Sequence, residues 1–253
     1  MIKNWFKNIG PGPLVAAAFI GPGTVTVCTL AGVNFGFALL WAMGLSIMAT
    51  VVLQEMSARL GLISQKGLSE IIRSEIKNPM LRGLTILLIL SAIVIGNAAY
   101  EAGNIGGGVL GMETIFGNPT VIFAGFNLNV LSVIVGIIAF SVLYVGNYKV
   151  LERVLVSLVI LMSMSFLVTA IITQPNLSDI LSGLFVPQVS EENLLTIIGL
   201  IGTTVVPYNL FLHASLVKEK WHQASDLKYA RKDTIIAVVL GGIVSMSIII
   251  SAA

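Results

Sequence analysis

Phe19-Ile20-Gly21-Pro22-Gly23-Thr24 and, far downstream, Thr203-Thr204-Val205-Val206-Pro207-Tyr208-Asn209 decide how this chain must fold. Both lie inside long uncharged stretches, residues 8–54 and 193–217. A proline within a helix deletes one hydrogen bond and clashes with the carbonyl one turn back. In lipid, backbone groups freed in this way are tolerated only where protein buries them or where they line a polar cavity. Paired interruptions in separate parts of a polytopic chain point to a secondary transporter whose substrate sits at the breaks. A genuine seven-helix protein with two ordinary proline kinks is the alternative.

Composition places the chain in a membrane. Hydrophobic residues make up 56% of it and charged residues 10%, against roughly 25% charge in soluble domains. Further uncharged stretches cover residues 83–100, 114–148, 154–178 and 234–253. About 20 apolar residues cross a bilayer. With a turn at Gly32-Val33-Asn34-Phe35-Gly36 splitting the first stretch, seven spans are expected: 12–33, 36–58, 83–108, 127–147, 150–173, 193–217 and 234 to the end. No small-residue cleavage site precedes the first apolar run, so it does not read as a cleaved signal.

The charges orient these spans. Lys3 and Lys7 precede the first. Arg59, Lys66, Arg73, Lys77 and Arg82 fall between the second and third, and Lys149 and Arg153 between the fourth and fifth. Lys218, Lys220, Lys228, Arg231 and Lys232 fall between the sixth and seventh, so all 14 basic residues share one side. The opposite loops carry only Glu113, Asp179, Glu191 and Glu192. The positive-inside rule then makes the N-terminus cytoplasmic. Pro22 in span one and Pro207 in span six imply a five-helix repeat. An inverted-repeat transporter needs a matching second half, so the expectation is a single transmembrane domain over 1–253. Its first repeat covers about 8–175, a second begins over about 190–253, and the natural chain is expected to continue.

The residues also carry a family resemblance. Gly10-Pro11-Gly12-Pro13-Leu14-Val15-Ala16-Ala17-Ala18-Phe19-Ile20, then Leu39-Leu40-Trp41 and Met56-Ser57-Ala58-Arg59-Leu60-Gly61, resemble the opening of the Nramp divalent-metal transporters. Pro207-Tyr208-Asn209-Leu210-Phe211-Leu212-His213 resembles that family's sixth helix. The resemblance implies an all-α integral membrane protein with the LeuT-type inverted-repeat fold. The chain would supply the first five-helix repeat plus helices six and seven, with helices one and six discontinuous. It implies a multi-pass protein of a bacterial plasma membrane that moves a cation with protons.

The departures from that family fall where the metal ligands belong. The usual Asp-Pro-Gly-Asn of the first break has Gly21 and Thr24 in place of its acid and amide, and the usual Met-Pro-His of the sixth helix reads Val206-Pro207-Tyr208. The third-helix acidic pair has become Ala98 and Glu101. A bare transition-metal ion between helices needs carboxylate, imidazole or thiolate ligands. No metal ligand is therefore assigned. Ala18, Gly21, Thr24, Thr203, Val206 and Tyr208 are the candidate substrate-binding residues, and Glu101 and His213 the candidate proton pathway. Such a set suits a hydrated ion, a monovalent ion or a neutral or zwitterionic molecule; with the resemblance, a divalent cation such as Mg²⁺ or Mn²⁺ is expected, Mg²⁺ first because it dehydrates reluctantly. A small organic solute bound at the half-helix N-termini is the alternative, and a passive channel a third reading.

Other classes lack support. Cys28 reads as a small buried residue, and Glu55 with Arg59 as a local i,i+4 ion pair. Gly103 and Gly106-Gly107-Gly108 read as close-packing positions. No phosphate loop, zinc spacing or catalytic triad is present. No cofactor or enzymatic reaction is expected, and the basic loops set topology without forming a nucleic-acid footprint. The partners expected are the transported ion or solute, protons and the lipid bilayer. Single cysteines introduced in residues 59–82 and 218–232 should label from the cytoplasm, and those in 109–126 and 174–192 from the outside. Labelling of all four loops from one side overturns this topology.

Overall fold

The computed structural model describes residues 10–123, 125–146 and 148–253; Lys3 and Lys7 lie outside them. In chain order the helices are α1 (Gly12–Phe19), α2 (Pro22–Phe35), α3 (Leu40–Ser64), α4 (Leu68–Glu75) and α5 (Pro79–Phe116). A hairpin of β1 (Thr120–Phe123) and β2 (Phe126–Asn129) follows. Then come α6 (Val130–Val145), α7 (Tyr148–Ile172), α8 (Leu177–Phe185), α9 (Glu191–Thr204), α10 (Pro207–Lys220) and α11 (Leu227–Ala252).

Both proline segments are interruptions, and they share one conformation. α1 and α2 are bent by 57° across Ile20 (φ −93, ψ 67) and Gly21 (φ −102, ψ 177). α9 and α10 meet across Val205 (φ −89, ψ 78) and Val206 (φ −96, ψ 120). In each case an extended residue precedes a proline that begins the next helix. That is where proline belongs, because its fixed φ suits the first helical position and its missing N–H costs nothing there. An extended residue before proline follows from the steric conflict between the proline ring and a helical predecessor.

By length and apolarity α3, α5, α7, the α9–α10 pair and α11 each suffice to cross a membrane, and α1 with α2 suffices as one bent span. The expected fourth span, 127–147, is shorter than anticipated: α6 has 16 residues, about 24 Å of helix. Residues 127–129 pair instead with Val121, Ile122 and Thr120 in the hairpin. Gly125 turns the chain at φ +84, a region that glycine enters freely. Asn129 then caps α6 by accepting from the Leu131 N–H at 2.9 Å. The all-α expectation therefore omits one short hairpin. Two of the expected loops also hold short helices, α4 and α8.

α11 is the hub, packed against α1, α2, α3 and α7, while α3 also packs against α9 and α10. Phe19, Leu39, Met43, Leu200 and Ile248 form its buried centre. In lipid the pairing of helices depends on close packing more than on hydrophobic drive. Gly61 shows this, because a Cβ there would collide with the Ala214 backbone of α10. Gly107 of α5 does likewise against the Pro22 carbonyl and Thr26 hydroxyl of α2. Gly103, Gly106 and Gly108 meet nothing within 4 Å, so of that glycine-rich run only Gly107 mediates close approach here. Elsewhere α5, α6 and α7 turn Leu88, Val94, Ile138 and Leu161 outward.

At the basic end, Glu55 accepts from Arg231 Nε and is also 2.8 Å from its terminal nitrogen, while Arg59 stands 3.8 Å away. The expected local pair is thus the weaker partner, and the nearer contact ties α3 to α11. Asp233 of α11 accepts from the backbone N–H groups of Gly10 (2.9 Å) and Gly12 (2.7 Å). It thereby holds the start of the first span.

The candidate site at the two helix breaks

The last carbonyls of a helix have no partner within it, and at the end of α1 three hydroxyls supply one. Tyr208, the second residue of α10, donates to the Ala18 carbonyl at 3.1 Å. Tyr100 of α5 donates to the Phe19 carbonyl at 3.0 Å, and Thr24 of α2 to the same oxygen at 2.5 Å. The two tyrosine rings meet edge to face, with centroids 6.2 Å apart. Spans one, three and six are thus joined at the first break through hydroxyls.

On the other side of the break, the Gly23 N–H donates to Asn104 Oδ1 at 3.1 Å. Asn104 Nδ2 donates to Glu101 Oε2 at 3.3 Å. Tyr100, Asn104 and Gly107 are spaced i, i+4 and i+7, so one face of α5 meets the break. Gly21 lies beside this face; a Cβ built on it would stand 2.7 Å from Asn104 Oδ1.

The second break is quieter. Thr203 and Thr204 both donate to the Leu200 carbonyl of their own helix, at 3.0 and 2.9 Å. Val206 packs in the same apolar cluster as Ile20 and Leu200. Asn209 stands two residues past its proline, as Thr24 does past Pro22. It is 0% exposed, and neither its Oδ1 nor its Nδ2 has a hydrogen-bond partner among the described residues. His213, one turn further along α10, belongs to a separate buried group. Its Nδ1 is 2.7 Å from Gln54 Oε1 of α3, and its Nε2 is 3.3 Å from Thr234 Oγ1 of α11.

Ala18, Gly21, Thr24 and Tyr208 therefore gather at the first break, with Glu101 joined to them through Asn104. Thr203 and Val206 lie at the second break, and His213 stands apart from Glu101. A cavity of about 500 Å³ opens between α1, α7 and α11, lined by Pro13, Ala17, Ile20, Val159, Ile236 and Leu240 among others. None of the candidate residues lines it. Tyr100 and Asn104 were visible in sequence only as polar neighbours of Glu101. Their four-residue spacing, ending on Gly107, is the signal that points them at one helix. Gln54 and Asp233 gave no sequence signal beyond being polar near a span end.

With this geometry in hand, comparison with known proteins is decisive. The family model for Nramp, natural resistance-associated macrophage protein-like, matches residues 12–253. The chain belongs to the Nramp family. Relatives of the Nramp chain include the divalent metal cation transporter MntH of Bacillus subtilis, 28% identical over 97% of this chain and 57% of that one. The metal transporter Nramp3 of Oryza sativa subsp. japonica is 33% identical over 85% of this chain and 37% of its own. Among solved structures, the Eremococcus coleocola manganese transporter superposes with a TM-score of 0.76 at 23% identity. That match covers 99% of this chain and 52% of the transporter. The chain thus spans about half the length of the curated relatives it matches. Its fold is the LeuT-type Nramp arrangement of a first five-helix repeat followed by helices six and seven, in a multi-pass membrane protein.

The unequal bonding of Tyr208 and Asn209 is testable. Tyr208→Phe leaves the Ala18 carbonyl unpaired, a loss of about 1–3 kcal/mol, and should lower the unfolding temperature in detergent. Asn209→Leu removes two unpaired buried groups at similar volume and should leave that temperature unchanged or higher. Equal destabilisation by both would show that Asn209 has a partner and contradict this geometry.

Proposed function

We propose that this chain is the substrate-binding half of a divalent-cation transporter whose cargo is held at the breaks as a hydrated ion, Mg²⁺ above all. The observation that carries this reading is the neutrality of the groups at the first break. Hydroxyls of Tyr100, Tyr208 and Thr24, the Asn104 amide and backbone carbonyls meet there, with Glu101 as the nearest acid. Among the described residues no three or more of His, Cys, Asp and Glu cluster as a metal site. Neutral oxygens offset the charge of a dehydrated transition-metal ion poorly. They suit an ion that keeps its water and meets the protein through hydrogen bonds.

Proton coupling through Glu101 and His213 belongs to the same proposal. As placed, both His213 nitrogens face oxygens, which suits an imidazolium donating twice. Turning the Gln54 amide presents Nε2 to Nδ1 and suits neutral imidazole instead. The Thr234 hydroxyl donates to the Ala230 carbonyl at 2.8 Å and keeps its lone pairs for His213. The hydrogen-bond partners by themselves thus fit either protonation state without moving a helix. Glu101 has no such enclosure, being exposed within this chain, and among the described residues its hydrogen-bonded link to the breaks runs through Asn104.

The test is uptake by the full-length protein in proteoliposomes, comparing Mg²⁺, Mn²⁺ and amino acids with and without a proton gradient. Saturable Mg²⁺ uptake, with Mn²⁺ weaker, is expected, and a proton gradient should drive it in a manner lost in His213→Leu. Saturable Mn²⁺ uptake at micromolar concentration, or amino-acid uptake without cation uptake, contradicts the proposal.

A further inference from the structure

We propose that Asn104 supplies the cation-facing oxygen that Gly21 does not, and so sets the ion specificity of the broken-helix site. The inference rests on the cation reading above. A side chain at position 21 would begin with a Cβ 2.7 Å from Asn104 Oδ1. The carboxamide of span three therefore occupies the volume that a ligand side chain on span one would fill.

Its orientation is fixed by its neighbours. Oδ1 accepts from the Gly23 N–H and Nδ2 donates to the Glu101 carboxylate. The flipped amide would set donor against donor and oxygen against carboxylate, so the network admits one orientation. An amide oxygen has two lone pairs, and Gly23 uses one. The reach of Asn104 depends on Gly107, whose missing Cβ lets α5 close on the Pro22 carbonyl. Half-buried Asn104 is thus held as a neutral oxygen at the N-terminus of α2, with the charge of Glu101 one bond behind it.

This arrangement favours ions that stay hydrated. A neutral oxygen accepts a hydrogen bond from a metal-bound water, while Glu101 attracts the cation from a second sphere. A carboxylate in the same place would exchange directly for water, to the advantage of ions that dehydrate readily. Gly21→Asp, in contrast, must first push Asn104 off Gly23.

The decisive experiment measures Mn²⁺ and Mg²⁺ binding by calorimetry on the purified full-length protein, wild type against Asn104→Asp, Asn104→Ala and Gly21→Asp. Asn104→Asp keeps an acceptor for Gly23 and exchanges the donor to Glu101 for a second carboxylate, a repulsion that a bound cation relieves; it should raise Mn²⁺ affinity tenfold or more and the Mn²⁺-to-Mg²⁺ ratio with it. Asn104→Ala should weaken Mg²⁺ several-fold, and Gly21→Asp should gain less Mn²⁺ affinity than Asn104→Asp. Unfolding temperatures on the same samples separate binding from stability. If Asn104 merely caps Gly23, Asn104→Asp leaves the ion ratio unchanged and Asn104→Ala shifts only the unfolding temperature; either result overturns the proposal. Binding of neither ion by wild type rejects the cation reading and this proposal with it, whatever Asn104→Asp gains, whereas wild-type binding with an unchanged ratio in Asn104→Asp rejects this proposal alone. No binding by either protein rejects both.

Discussion

The pairing of the carbonyls at the end of α1 with hydroxyls from other spans is the interaction on which the arrangement depends. Breaking a helix in a membrane exposes polar backbone with no water to satisfy it. Ala18 escapes that cost through Tyr208 of span six, and Phe19 through Tyr100 of span three together with Thr24 of its own span. These bonds bring the two proline breaks, 185 residues apart in sequence, to one place. They also explain why α5, which otherwise faces outward, is drawn in at Tyr100, Asn104 and Gly107.

The same bonds shape the chemistry. The hydroxyls that close the first break are neutral and give their protons to backbone carbonyls while keeping lone pairs, as Asn104 Oδ1 also keeps one; at the second break the Asn209 amide has no hydrogen-bond partner among the described residues. Where the Nramp resemblance implies an acid and an amide on span one, this chain keeps the break and omits the acid. Thr24, at the position of the amide, turns its hydroxyl to the Phe19 carbonyl. Under the proposed cation reading, such a site would meet its ion through oriented hydrogen-bonding groups, with the Glu101 carboxyl behind Asn104.

The breaks themselves were legible in the sequence, because proline in a long uncharged run deletes a helical hydrogen bond, and its occurrence in two such runs favours breaks over single kinks. So were the spans, since apolar length is read directly, and the family, whose motifs flank the breaks. The short fourth span was not, because Phe126-Asn127-Leu128 suits a strand edge and a helix start equally and only pairing with β1 decides. Nor was the role of Asn104, which depends on the distance between α5 and α2, a tertiary quantity set by Gly107. Glu55 illustrates the same limit: its i,i+4 neighbour Arg59 was visible, while the nearer Arg231 lies 176 residues away. His213 was singled out by resemblance, but its partners Gln54 and Thr234 come from two other spans.

The most direct test is the crystal structure of the full-length protein soaked in millimolar Mn²⁺, with anomalous scattering used to locate the ion. A peak is expected between the two breaks, beside Asn104 and the Ala18 carbonyl, and separated from protein oxygens by a water layer at about 4–5 Å from the metal. A peak elsewhere, or an ion in direct contact with several side chains, would contradict the account.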